Sequence, residues 1–548
     1  MGSNVSGELT YAILASVLAS FILTWILLAG YRRAVARIMR IASAQPEFEP
    51  SMVTPPEPSA QPHISAFATR RRLALVYSAA TGLSALVLAL PLIWKLVDEA
   101  GAWWWPGMVG HWLTLWAPSV ILVCALLAAR RRATILALFA TWLLVVASAI
   151  VFSLLTRLMA GDLPASGLAA NAWQTSKQFL VNAIVPLALV YVTGRPRLRN
   201  VLPLILVVVI LLSFLLLAYN RGVMANQQEI AIAGTSILTW LGTEPSFYVD
   251  WALLLLLYSL PFLLLSLPVG VVAWRLLLLV ERRYRARGFS NMQLVVDAWW
   301  ATIVLTYVPS LAGASQSTGI VTCVLAYAIY WVTVRAGLRM SRLYVRGSGP
   351  TMLLLRVFGF QKRTERLFDR VAERWRFEGP VAMIAGADLA LRSVDVDEAL
   401  AFVRGDIESN YVAGSADLDR RLQELDAGAD PDGRFRAGEF FCFDNTWRPT
   451  LRSLVARANV VLMDLRGFTK ANAGCVFELE QLSTLGALRR CVLVVDSTTD
   501  RALAEASLGL TSENREPSGQ PAWIMMKQEA AAMPPLWRAL IQRAGESR

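Results

Sequence analysis

The chain has 548 residues, 56% of them hydrophobic, with a mean hydropathy of +0.49, a balance that excludes an ordinary soluble protein and points to long apolar stretches. Only 17% of residues are charged, yet the formal net charge is +12. Membrane proteins carry excess Lys and Arg in their cytoplasmic loops, so this basic balance gives no reason to expect nucleic acid as a partner. Five cysteines without CxxC spacing signal neither a disulfide framework nor a zinc site. The histidines, His63 and His111, both fall early in the chain, which leaves the last third without a Ser-His or Cys-His pair.

The first apolar run, 10–28, is followed by Arg32, Arg33, Arg37 and Arg40. A cleavable signal peptide carries its positive charge before the apolar run, so this reads as an uncleaved span with its amino terminus outside. A cytoplasmic linker follows over 31–72, proline-bearing and aperiodic between 41 and 68. Further runs at 73–94, 111–129, 133–155, 179–192, 201–219, 251–273, 294–311 and 320–334 bring the expected spans to about nine. The loops sort by charge. Arg70 to Arg72, Arg130 to Arg132, Arg195, Arg197, Arg199, Arg282, Arg283, Arg285, Arg287, Arg335, Arg339, Arg342 and Arg346 fall on one side, which the positive-inside rule makes cytoplasmic. Trp103, Trp104 and Trp105 read as an interfacial aromatic belt. Ionisable residues are nearly absent from the spans, with Asp250 and Asp297 near span ends, and no transporter-like internal repeat is visible. Residues 1–346 are therefore expected to form a multi-pass domain in a lipid bilayer, a cell membrane of the bacterial inner-membrane kind.

From 347 to 548 charge becomes frequent and strands alternate with helices. Strands are expected at 352–358, 381–385, 439–443, 459–464, 491–495 and 522–526, and helices at 364–377, 396–404, 418–425, 446–456, from 472, at 501–508 and to 543. The predicted fold is a multi-span α-helical membrane domain followed by an α/β domain with a doubly wound, mostly parallel sheet, its carboxyl terminus cytoplasmic. Several strands end on polar residues: Asp388, Asp444 with Asn445, Asp464 and Asp496. In a parallel sheet these ends share one edge, where open α/β sheets bind ligands. Neither GxGxxG nor GxxxxGK[ST] occurs, which disfavours a dinucleotide or P-loop site, and Asp430-Pro431-Asp432-Gly433 reads as a turn.

The strand ending on Asp464, a polar loop, and Asn472-Ala473-Gly474-Cys475-Val476-Phe477-Glu478-Leu479 together resemble the TIR-domain family. That family has a small residue, Trp-Cys, two variable residues and Glu-Leu at this place. The strand from 353 and the helix to Phe377 are similar to the first strand and helix of TIR and SEFIR domains. Gly474 stands where the family has tryptophan, and the region after the second strand is longer. In TIR domains that cleave NAD the glutamate of this helix is catalytic, so the resemblance implies that role for Glu478 and makes Cys475 a site residue. The same flavodoxin-like sheet with a glutamate at this place also distantly resembles nucleoside deoxyribosyltransferases, which act at N-glycosidic bonds.

Cleaving nicotinamide from ribose passes through an oxocarbenium-like state that a carboxylate stabilises. Arg356, Arg448 and Arg466 stand near element ends as pyrophosphate partners, and Phe360 and Phe468 stand in loops as stacking platforms. Three readings remain open: an effector acting at the glycosidic bond of NAD or a related nucleotide; a non-catalytic assembly or ligand-binding module, self-associating and coupled to a membrane sensor; and a transporter with a regulatory domain. No metal or resident cofactor is expected.

Overall fold

The structure is a computed structural model that describes residues 3–39, 66–100, 104–127, 131–159, 247–312, 316–341, 349–356, 361–385, 396–510, 519–527 and 529–546, with isolated residues between them.

Seven helices precede the sheet among the described residues: α1 (Ser3–Ile38), α2 (Ala66–Ala100), α3 (Trp104–Leu127), α4 (Arg131–Met159), α5 (Phe247–Arg285), α6 (Asn291–Ala312) and α7 (Gln316–Met340). Four windows, Leu18–Ile38, Phe67–Pro91, Met108–Leu127 and Gly319–Met340, are long and apolar enough to cross a membrane. They answer the runs expected at 10–28, 73–94, 111–129 and 320–334. The runs at 133–155, 251–273 and 294–311 lie in α4, α5 and α6, while 179–192 and most of 201–219 fall outside the described residues. The linker is shorter than expected. Arginine is a good helix former, so α1 continues through Arg37 and α2 already contains Arg70, Arg71 and Arg72.

Helix α6 is central to this bundle. Trp300 donates its indole N–H to Ser84 Oγ of α2 at 2.8 Å, and Ser84 donates to the Ala326 carbonyl of α7 at 2.6 Å. Trp299 donates to Ser119 of α3 at 3.0 Å, and Tyr330 donates to Asp297 Oδ1 at 2.6 Å. Buried polar groups survive between apolar helices only when partnered in this way.

The rest of the described chain is an α/β unit. Its strands β1 (Met352–Arg356), β2 (Val381–Ala385), β3 (Tyr411–Val412), β4 (Ala437–Cys442), β5 (Val460–Asp464), β6 (Cys491–Val495) and β7 (Ala522–Met525) form one sheet. The order is β3-β4-β2-β1-β5-β6-β7, with every neighbouring pair parallel. Its helices are α8 (Gln361–Trp375), α9 (Val396–Val403), α10 (Ser415–Asp426), α11 (Trp447–Arg457), α12 (Ala473–Thr484), α13 (Arg501–Ser507) and α14 (Glu529–Glu546).

The apolar runs are continuous because both faces are covered, and side chains alternate between them. Met352, Leu354, Val460, Leu462, Val492 and Val494 pack with α8 and α14, through Val371, Trp375, Leu536 and Leu540. Leu353, Leu355, Val461, Met463 and Leu493 pack with α10, α11 and α12, through Leu422, Leu454 and Leu479. Strand β3, with two residues, was not foreseen, and β4 begins at Ala437, two residues earlier than expected.

The two parts share a core. Ala385, Ala399, Ile407, Tyr411 and Phe441 of the sheet unit belong to the same buried cluster as Tyr31 and Val35 of α1. Tyr411 donates to the Val35 carbonyl at 3.4 Å, Tyr31 donates to Glu398 at 3.3 Å, and Arg404 pairs with Glu281 of α5 at 2.8 Å.

Candidate functional site

Connections leave the sheet in opposite directions from β1 and β5: the chain runs from β1 outward through β2 and β4, then restarts at β5 and runs through β6 and β7. That reversal makes a switch point, and the region beyond the carboxyl ends of these two strands is the usual ligand position in open α/β sheets. Arg356 ends β1 and Asp464 ends β5, directly in register.

The loop after Asp464 is stitched down tightly. Leu465 N–H donates to the Val494 carbonyl at 2.8 Å, Thr499 Oγ1 donates to the Leu465 carbonyl at 3.0 Å, and Asp500 N–H donates to the Phe468 carbonyl at 2.9 Å. Gly467 turns the chain at φ 76°, a left-handed conformation that suits glycine. Asn472 stands at the N-cap position of α12, and its side-chain oxygen accepts the Thr469 N–H behind it at 2.9 Å.

Helix α12 brings two side chains of one face to the end of β1. The Cys475 thiol donates to the Arg356 carbonyl at 3.4 Å. Glu478 follows three residues later, on the same face. It is 5% exposed, and among the described residues its buried Oε2 meets no hydrogen-bond partner. Burial pushes its carboxyl up to about 8, against the opposing pull of the Arg356 guanidinium. A buried carboxyl with a displaced pKa beside a cation at such a switch point is the arrangement expected of a functional acid or charge stabiliser.

Asp464 has a different role. Arg466 clasps it through Nε at 2.8 Å and Nη2 at 2.7 Å, and both residues are buried. Its charge is thus balanced within the loop. Phe468 is fully buried in the core cluster beside Cys475 and Leu479, so its ring packs the loop onto the sheet and offers no stacking face. The expected stacking role for Phe468 does not fit this placement, because the loop's long-range hydrogen bonds turn the ring inward.

Arg356, Asp464, Arg466, Cys475 and Glu478 are therefore gathered at the β1/β5 switch point. Asp444 and Arg448 are exposed beyond β4, two strands from β1. Arg448 lies 5.2 Å from the Phe477 ring centroid and 5.4 Å from that of Trp447, which borders the glutamate's helix. Phe360 and Asp388 lie outside the described residues. No group of three or more His, Cys, Asp or Glu side chains able to hold a metal occurs among the described residues.

Sequence reasoning passed over a second charged cluster, in the turn before β4. Its signal was present: Asp430-Pro431-Asp432-Gly433-Arg434-Phe435-Arg436 mirrors acids and bases about Gly433. Compared with known proteins, the chain matches no family model, no curated protein and no solved structure.

Proposed function

We propose that this is a multi-pass membrane protein with a TIR-like sheet domain on the cytoplasmic side, acting at the N-glycosidic bond of NAD or a related nucleotide. The observation that carries the reading is Glu478: buried, with one oxygen unpartnered among the described residues, beside Arg356 at the switch point of a parallel sheet. The sheet order supports it too. Setting aside β3 and β4 at one edge, β2-β1-β5-β6-β7 is the flavodoxin-like 2-1-3-4-5 order.

In this reading the bond between ribose C1′ and the nicotinamide nitrogen breaks. Its electron pair goes to that nitrogen, which loses its positive charge and needs no proton. Positive charge grows on the ribose, and the Glu478 carboxylate stabilises it. Water then supplies oxygen to C1′ and releases a proton. The cationic substrate itself favours ionisation of Glu478, while Arg356 attracts the anionic part of the ligand.

The full-length protein in lipid nanodiscs, incubated with NAD, releases nicotinamide on this account, and Glu478→Gln abolishes release while the fold is kept. Release that persists in the variant overturns the assignment. A second reading, a non-catalytic assembly or ligand module that self-associates, is favoured by one observation: Arg356, Asp464, Arg466, Cys475 and Glu478 are each no more than 8% exposed. Absence of turnover with retained, Glu478-dependent nucleotide binding selects it.

A further inference from the structure

The turn before β4 folds back on itself. The Asp430 N–H donates to the Arg434 carbonyl at 2.9 Å, and the Gly433 N–H donates to the Asp430 carbonyl at 2.8 Å. Two ion pairs nest across it: Arg434 donates to Asp432 at 2.9 and 2.6 Å, and Arg436 donates to Asp430 at 2.9 and 3.1 Å. Asp430, Asp432 and Arg434 are all buried. Such pairs add little net stability, but separating them in a low-dielectric setting is costly, so they hold one geometry.

The groups that complete this cluster come from the amino-terminal part. Arg287, just past α5, donates to the Gly428 carbonyl at 2.6 Å and sits 3.9 Å from Asp430. Arg436 donates to the Tyr284 carbonyl at 2.8 Å and stacks 3.8 Å over the Tyr284 ring. Ser290, at the start of α6, hydrogen-bonds Asp432. Gly433 lies so close to Leu343 that a Cβ there would stand 2.7 Å from the Leu343 carbonyl oxygen. Among the described residues Arg287 is the one non-glycine with positive φ, 53°, a strained backbone at the point of contact.

On its other side the turn leads straight into the sheet. Phe435 exchanges hydrogen bonds with Arg376, at 2.7 Å from its N–H and 2.6 Å to its carbonyl. Ala437 opens β4 in register with Val381 of β2, and Val381 is in register with Met352 of β1. Strand β1 ends on Arg356.

We propose that this turn is a conformational joint, through which the packing of helices α5 and α6 of the amino-terminal part sets the β4-β2-β1 half of the sheet and the Arg356 end of the switch point. The joint acts whatever chemistry the switch point performs. The test is hydrogen exchange on the full chain in nanodiscs, comparing wild type with Arg287→Ala on the amino-terminal side and Arg436→Gln on the sheet side. Arg501→Gln, whose surface pair with Glu505 lies elsewhere, is the control. Both joint variants are expected to raise exchange in β4, β2 and β1 about tenfold or more, leaving β6 and α14 nearly unchanged. The double variant is expected to do no more than either single one. Changes confined to 284–290 and 428–437, an even rise across all seven strands, or the same pattern in the control each overturn the proposal.

Discussion

Arg356 and Asp464 end adjacent strands in register, yet the cation that clasps Asp464 is Arg466, two residues along its own chain. The Arg356 guanidinium instead opposes the burial of Glu478. Two neighbouring carboxylates thus have unlike settings: Asp464 is clasped by a cation within its loop, while burial pushes the Glu478 carboxyl up to about 8.

The Asp464–Arg466 pair is expected to be structural. Asp464→Asn removes the carboxylate that clasps the buried Arg466 guanidinium and should cost about 3–5 kcal/mol. The double variant Asp464→Asn/Arg466→Met should recover much of that loss. Thermal unfolding of the full-length protein in detergent, followed through the sheet domain, checks both outcomes.

Glu478 makes stability depend on pH with a definite sign. Below pH 4.5, its ordinary value, the carboxyl is protonated in both folded and unfolded chains and costs nothing. Above it the unfolded chain ionises while the folded chain resists up to about 8, so stability falls across that window and then levels. Glu478→Gln carries no such proton. The variant should therefore match wild type near pH 4.5 and gain on it by a few kcal/mol at pH 8 to 9, measured as the difference in denaturant midpoints.

Removing the opposing cation should move that window. In Arg356→Met the pull on the carboxyl is gone, and the stability gap to the Arg356→Met/Glu478→Gln double variant should keep growing above pH 8. A gap that levels at the same pH as in the wild-type background would show that Arg356 does not act on Glu478.

Gly433 tests the contact between the two parts. Alanine there meets both a φ of +75° and the Leu343 carbonyl oxygen 2.7 Å from its Cβ. Gly433→Ala should destabilise by roughly 1–3 kcal/mol. Faster proteolysis within 428–437 of the full-length protein would report it.

Much of the sheet was legible because strands covered on both faces read as uninterrupted apolar runs; 381–385 and 491–495 are observed at those bounds. The glutamate's helix was legible too: a start near Asn472, with Cys475 and Glu478 in its first two turns, matches the helix at Ala473–Thr484. Phe468 was not, since an aromatic in a short polar loop looks exposed until the bond from Leu465 N–H to Val494 draws the loop inward. Strand β3 is too short for alternation to register. The turn at Asp430 reads locally as a turn and is one, but its meaning lies with Tyr284, Arg287 and Ser290, about 140 residues earlier. Contacts of that separation leave little trace in local pattern.

The central claim is that Glu478 acts, ionised, at the β1/β5 switch point. Its most direct test is the pH dependence of nicotinamide release from NAD by the full-length protein in nanodiscs, between pH 6 and 9. The account predicts that kcat/KM rises with pH and levels near 8, where the free carboxyl titrates, and that kcat levels at lower pH because the bound cation favours the carboxylate. It also predicts that Glu478→Gln shows no release at any pH. A flat profile, or release that survives the substitution, would contradict it.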